Sequence, residues 1–164
     1  GGRRDGYPSR LHYFTDWLYD NGRKGVIREI TRDLGGIPFR KALHELTDHR
    51  EEHPPLGAEA AFRRMRTVEA ACSRRTLYCL PKADLPRIET RIESGDIIAV
   101  ATDADGIEVS HTGIAVRGPR GLHLLHASSA AGKVVLSDET LYRYLISRRA
   151  RTGIIIGRAI AMDS

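Results

Sequence analysis

The pattern of apolar and polar positions divides the chain into a helical first half, residues 1–80, and a β-rich second half, residues 81–164, with no linker between them. Over residues 9–21, Leu11, Phe14, Trp17 and Leu18 recur at helical spacing, with Ser9 as the expected N-cap and Asn21-Gly22 as the stop. Residues 26–34 continue as helix or extended chain until Gly35-Gly36-Ile37-Pro38 breaks the pattern. The polar run 43–52 is expected to be helical and to end at His53-Pro54-Pro55. Residues 58–71 carry the plainest helical periodicity. After Leu80 the period shortens, and strands are expected at 96–102, 111–117, 122–127, 133–137 and 153–160, with one helix near 139–147. The fold class that follows is α+β.

The most informative stretch lies in the second half. Ser110-His111-Thr112-Gly113-Ile114-Ala115-Val116-Arg117 and Leu122-His123-Leu124-Leu125-His126-Ala127-Ser128 flank Gly118-Pro119-Arg120-Gly121, which reads as a hairpin turn. With Pro119 and Arg120 as the loop, Gly118 faces Gly121 and His126 falls opposite Gly113. His111 then shares a sheet face with Gly113 and is a diagonal neighbour of His126, within reach of a ring-to-ring hydrogen bond. His123 points the other way. A loop one residue longer or shorter would reverse every facing. Two imidazoles so placed suit a general base and a partner that fixes its tautomer. The bland alternative is a hairpin carrying ordinary polar side chains.

The two cysteines are poor nucleophile candidates. Cys72 lies near the end of a helical run, where the dipole disfavours a thiolate and Arg74 and Arg75 only partly offset it. Cys79, in Leu77-Tyr78-Cys79-Leu80 before Pro81, reads as a small buried hydrophobe. Nothing in their spacing decides whether they pair. The net charge of +5 comes with scattered arginine pairs (Arg3-Arg4, Arg63-Arg64, Arg74-Arg75, Arg148-Arg149) among acidic residues. That reads as a solvated basic surface without a nucleic-acid partner. The longest apolar run, Gly153-Ile154-Ile155-Ile156-Gly157, has the length of a strand and cannot span a bilayer. His44-Glu45-Leu46-Thr47-Asp48-His49 is one residue too wide for a zinc-binding helix face, and His49 and His53 read as solvated. Ala130-Ala131-Gly132-Lys133 and Asp103-Ala104-Asp105-Gly106 read as turns rather than phosphate or calcium loops.

The string from His111 to Val116, preceded by Gly95-Asp96-Ile97-Ile98-Ala99-Val100 and followed by His126-Ala127-Ser128, resembles the NlpC-type branch of the papain-like cysteine peptidases. Ser9-Arg10-Leu11-His12-Tyr13-Phe14-Thr15-Asp16-Trp17, Ile30-Thr31 with Leu34-Gly35-Gly36, and Leu77-Tyr78-Cys79-Leu80-Pro81-Lys82 are similar to its N-acetylmuramoyl-L-alanine amidase-like group. The resemblance implies a papain-like fold with a helical insertion and an antiparallel barrel-like sheet. It implies cysteine-dependent hydrolysis of the amide between N-acetylmuramic acid and L-alanine in peptidoglycan fragments, without metal or organic cofactor. His111 would be the general base and His126 its orienting partner. Arg10, His12 and Tyr13 would line the substrate groove, with local pairing and core packing as the plainer roles. The family's nucleophilic cysteine opens a helix upstream of all these motifs, whereas this chain begins at Gly1-Gly2-Arg3-Arg4-Asp5-Gly6-Tyr7. The expectation is therefore a domain incomplete at its N-terminus, with an apolar strip around Ile114, Val116 and Leu124 laid bare and prone to self-association. Cleavage of the D-γ-glutamyl–diamino-acid bond, and a non-catalytic peptidoglycan-binding remnant, are the alternatives.

Overall fold

Ile154, Ile155 and Ile156 are all fully buried, because the strand that carries them is covered on both faces. In the computed structural model, which describes residues 5–161, this strand is β8 (Arg151–Ala159), the middle of an antiparallel sheet. On one side it pairs with β4 (Ile97–Thr102), followed by β5 (Val109–Gly118), β6 (Gly121–Ser128) and β7 (Lys133–Leu136). On the other side it pairs with β1 (Ile27–Glu29) and with β3 (Leu77–Pro81), which carries β2 (Ile37–Phe39). One face buries Ile98, Val100, Leu124, Ile154 and Ile156 beneath α5 (Leu141–Ile146) and α4 (Leu85–Ile88). The opposite face packs Ala99, Ala101, Ile155 and Cys79 against Leu18 of α1 (Phe14–Arg23). Tyr13, Leu43 and Cys72 form a third cluster, joining α1 to α2 (Glu45–Asp48) and α3 (Glu59–Ser73).

The α+β expectation holds, but the sheet is open. β2 and β7 end it, and among the described residues no ladder joins them into the expected barrel-like closure. All five strands and the late helix expected after Leu80 form, within two residues of the expected bounds. The first half departs more. α1 starts at Phe14 rather than after Ser9, because Tyr7–Ser9 forms a 3₁₀ turn in which Ser9 Oγ donates to Gly6 O and accepts from Asp5 N–H. It runs through Asn21-Gly22 to Arg23, and the left-handed turn falls at Gly25. The expected break falls at Gly35-Gly36, where Gly35 has a φ of 96°, but its second half, Ile37-Pro38, opens strand β2, where Pro38 opposite Tyr78 is tolerated at the sheet edge. Of the run 43–52, only Glu45–Asp48 is α-helical, and 3₁₀ turns follow. Cys72 and Cys79 are unpaired thiols. The opening Gly1-Gly2-Arg3-Arg4 lies outside the described residues.

Asp96 fixes the start of β4. Only 2% exposed, it takes a two-pronged hydrogen bond from Arg158 at 2.7 Å on each oxygen and caps the turn through Glu93 N–H. A buried carboxylate so paired holds β8 and the preceding turn in one position.

Candidate active site

The hairpin forms in the expected register, with Gly118 opposite Gly121 and Ile114 opposite Leu125. Carried one residue further, this ladder sets His126 beside Gly113. A Cβ on Gly113 would lie 2.7 Å from Leu124 Cδ1 and 2.8 Å from Leu125 O, so only glycine lets the strands approach this closely. His111 Nε2 and His126 Nδ1 are 2.8 Å apart, with the rings edge-on at 84°. His123 faces the other way, and its Nδ1–H donates to Ser137 O at 2.9 Å.

A bulge aims His111. Val100 pairs with His111 and Ala101 with Val109, which leaves Ser110 as the extra residue of β5. The resulting twist brings Ser110, His111 and Thr112 together to the border of one cleft, which strict strand alternation would forbid. The cleft has a volume of about 690 Å³. Its far wall is made by Phe14 and Trp17, stacked at 5.4 Å, and by Leu46 of α2.

Two buried carboxylates hold that wall. The N-cap Tyr13 offers no capping side chain, and Glu108 Oε1 instead accepts from Thr15 N–H at 2.9 Å and Thr15 Oγ1 at 3.0 Å. A negative group at the start of α1 also suits the helix dipole. Glu69 Oε1 accepts from the Tyr13 hydroxyl at 2.7 Å and from the Leu46 and Thr47 amides, tying α3 to α1 and α2. Burial, with Glu69 beside it, pushes the Tyr13 phenol far above its usual range.

Burial lowers the pKa of His111 below its ordinary 6.5, and the charges of His126 and then Arg151 lower it further. Among the described residues nothing hydrogen-bonds its Nδ1, which is left for a reacting group. The structure adds two neighbours that the sequence pattern did not single out. The Tyr144 ring lies 6.1 Å from His111 and 5.6 Å from His126, and the Arg151 guanidinium stacks on Tyr144 at 3.7 Å. The only signal for them was their place in α5 and at the start of β8, elements whose packing against the hairpin no local pattern encodes.

The remaining candidates separate. His12 lines the cleft, with its Nε2–H donating to Tyr7 O at 3.0 Å. Tyr13 lines it too but is only 3% exposed, with its hydroxyl committed to Glu69. Arg10 is exposed, lies 5.5 Å from the Tyr7 ring and does not border the cleft. Neither cysteine borders it either. Burial pushes both thiols up to about 12; for Cys72 the Asp16 charge adds to this and Arg75 opposes it. His49, Glu51 and Glu52 are close enough to share a cation, but all are solvent-exposed.

Proteins of known structure share this fold. A crystal structure of an N-acetylmuramoyl-L-alanine amidase from Bacteroides uniformis superposes with a TM-score of 0.92 at 33% identity, over 97% of this chain and 68% of that one. A Bacteroides fragilis protein provisionally described as a xylanase gives 0.90 at 37% identity, over 95% of this chain and 69% of that one. A Legionella pneumophila protein, 19% identical, shares the fold at a TM-score of 0.67, over 96% of this chain and 64% of that one. Curated proteins give no match. Residues 1–154 match the sequence pattern of a single family, and on that extent the chain belongs to the N-acetylmuramoyl-L-alanine amidase-like family.

Proposed function

We propose that the cleft is the site of cysteine-dependent hydrolysis of the N-acetylmuramoyl–L-alanine amide in peptidoglycan fragments, on a papain-like NlpC-type scaffold. The observation that carries this reading is the 2.8 Å contact between His111 and His126 at the border of the cleft. A base at His111 Nδ1 needs its lone pair there, so Nε2–H donates to His126 Nδ1 and the His126 proton sits on Nε2. A thiol gives its proton to His111 Nδ1 and its sulfur attacks the acyl carbon of the amide. The imidazolium then protonates the departing amine of L-alanine, and water attacks the thioester with His111 again as base, releasing the acid and the free thiol. His126 keeps the ring oriented throughout. In this reading residues 1–80 supply one wall, with His12 and Tyr13 facing the substrate and Arg10 exposed outside the cleft, and residues 81–164 supply the dyad.

The sulfur comes from a helix outside these residues. One observation supports that placement. Cys72 and Cys79 are buried, with thiols held near 12 and far from a nucleophile's range. The same two thiols favour a second reading, a module that binds peptidoglycan without cutting it. Xylan hydrolysis fits poorly. It requires a pair of carboxylates flanking the scissile bond, and of the cleft's two, Glu45 and Glu108, the second is buried with its Oε1 taken by Thr15.

The test is product analysis of muropeptides by mass spectrometry. The chain joined to the Cys-bearing helix from upstream in its reading frame is expected to release free peptide stems, and the same protein with His111→Ala is not. Turnover by the 164-residue chain that Cys72→Ala or Cys79→Ala abolishes would overturn the placement of the nucleophile. Binding without turnover in the extended protein selects the second reading, and cleavage within the stem selects the endopeptidase bond.

A further inference from the structure

Among the described residues four arginines are partly buried, and three of them are matched by acids: Arg50 by Glu59, Arg75 by Asp16, and Arg158 by Asp96 and Glu93. Arg151 is the exception, since no carboxylate among the described residues pairs with it. Its guanidinium is nevertheless held in one place. One terminal nitrogen donates to Tyr144 O and, at 3.0 Å, to Ser147 Oγ, and the plane lies 3.7 Å from the centre of the Tyr144 ring. The other terminal nitrogen and Nε have no partner among the described residues and form an open fork. The same Tyr144 ring packs against both histidines of the dyad. Neither Tyr144 nor Arg151 borders the cleft, so they stand on the far side of His111 from Phe14 and Trp17.

A fixed, partly desolvated cation without a counter-ion is costly unless a ligand supplies the anion. A planar fork of two N–H groups matches a carboxylate. We propose that Arg151, held by Tyr144, is a carboxylate-binding site beside the dyad that takes a carboxylate of the peptide part of the substrate. This rests on the reading of His111 and His126 as the hydrolytic centre, and it adds that the substrate lies across His111, with its apolar or sugar part in the cleft and its peptide carboxylate at Arg151.

The site and the base are then linked. The groups facing His111 are His126 from β6, Tyr144 from α5 and Arg151 from β8, with His12, Glu45 and Glu108 along the cleft. A bound carboxylate cancels the Arg151 charge, which makes His111 more basic when substrate is in place. By reciprocity, protonation of His111 strengthens carboxylate binding.

The experiment follows the His111 ring signals of the 164-residue chain by NMR as a function of pH, alone and with N-acetyl-L-alanine or its uncharged methylamide. The carboxylate is expected to bind and raise the His111 midpoint, whereas the methylamide leaves it unmoved. Arg151→Gln should raise the midpoint without ligand, weaken carboxylate binding by about tenfold or more, and remove the ligand-induced shift. Arg151→Lys, which keeps the charge, should retain the low midpoint. Equal binding of the two probes, or a carboxylate-induced shift that persists in Arg151→Gln, overturns the proposal. The wild-type arm needs no variant to fold. None of these readouts involves turnover, so the site can fail while the amidase reading stands, and the reverse.

Discussion

Two imidazoles 2.8 Å apart cannot both carry a charge cheaply, and the half-buried setting of His111 adds to that cost. His111 is therefore expected to titrate below 6.5, which its ring signals will report. The effect on stability follows in sign. As pH falls below 6.5 the unfolded chain takes the proton first, so stability drops from there down to the folded pKa and then levels. Urea unfolding at about pH 7.5 and about pH 5 should show a smaller acid-side loss for His111→Gln than for the parent. The thiols work in the opposite direction. Held near 12, Cys72 and Cys79 keep protons that the unfolded chain releases above 9.0, so stability falls as pH rises between these values. Both should resist a disulfide reagent in the native state and react once denatured. At this scale the sequence disclosed the dyad, because a two-residue loop between glycines fixes which side chains share a face. It could not disclose Tyr144 and Arg151. Their approach to His111 depends on how α5 and β8 dock, and that is decided by packing between residues far apart in the chain.

At the scale of elements, close approaches of backbone decide what can change. A Cβ on Gly153 would lie 2.2 Å from Leu80 O and 2.7 Å from Cys79 Sγ, and a carbonyl in a ladder has little room to move. Gly153→Ala should force β3 from β8 and cost about 3 kcal/mol in urea unfolding, with no special effect on the dyad. Gly113→Ala meets Leu124 and Leu125 O between the two histidines. It should cost about 2 kcal/mol and, unlike the first, shift the ring signals of both His111 and His126. The strands from β4 onward were legible because each runs for four or more residues and is bounded by turn signals. β1 and β2 were not. Each has three residues, β2 contains a proline, and both exist only because longer strands offer them an edge. The start of α1 was misplaced for a related reason. Ser9 does cap a turn, but a 3₁₀ one, and the helix waits for Glu108, ninety-three residues from Thr15, to satisfy its first amides.

For the whole molecule, the sheet has two unequal faces. The one beneath α4 and α5 is closed over Leu122, Leu124 and Val100, so Leu124, expected in the bare strip, belongs to the core. The opposite face is covered by α1 only as far as β4. Beyond it the ladder aligns Ile114 with Leu125 and Leu136, and Ala127 with Val134, as an apolar surface at the open end. A closed barrel would have hidden part of it, and sequence alone could not decide closure because β2 and β7 are individually too weak to declare a ladder. Each large side chain returned to an apolar contact there is worth about 2 kcal/mol. The exposed edge of β7 adds unpaired backbone groups beside the same patch. The 164-residue chain should therefore self-associate, with a sedimentation coefficient that rises with concentration at micromolar levels. Ile114→Lys with Leu136→Lys should return it to monomer while leaving the His111 and His126 ring signals in place, since both substitutions lie on the face away from Leu124. A chain that stays monomeric unaltered would mean that this apolar face does not drive association.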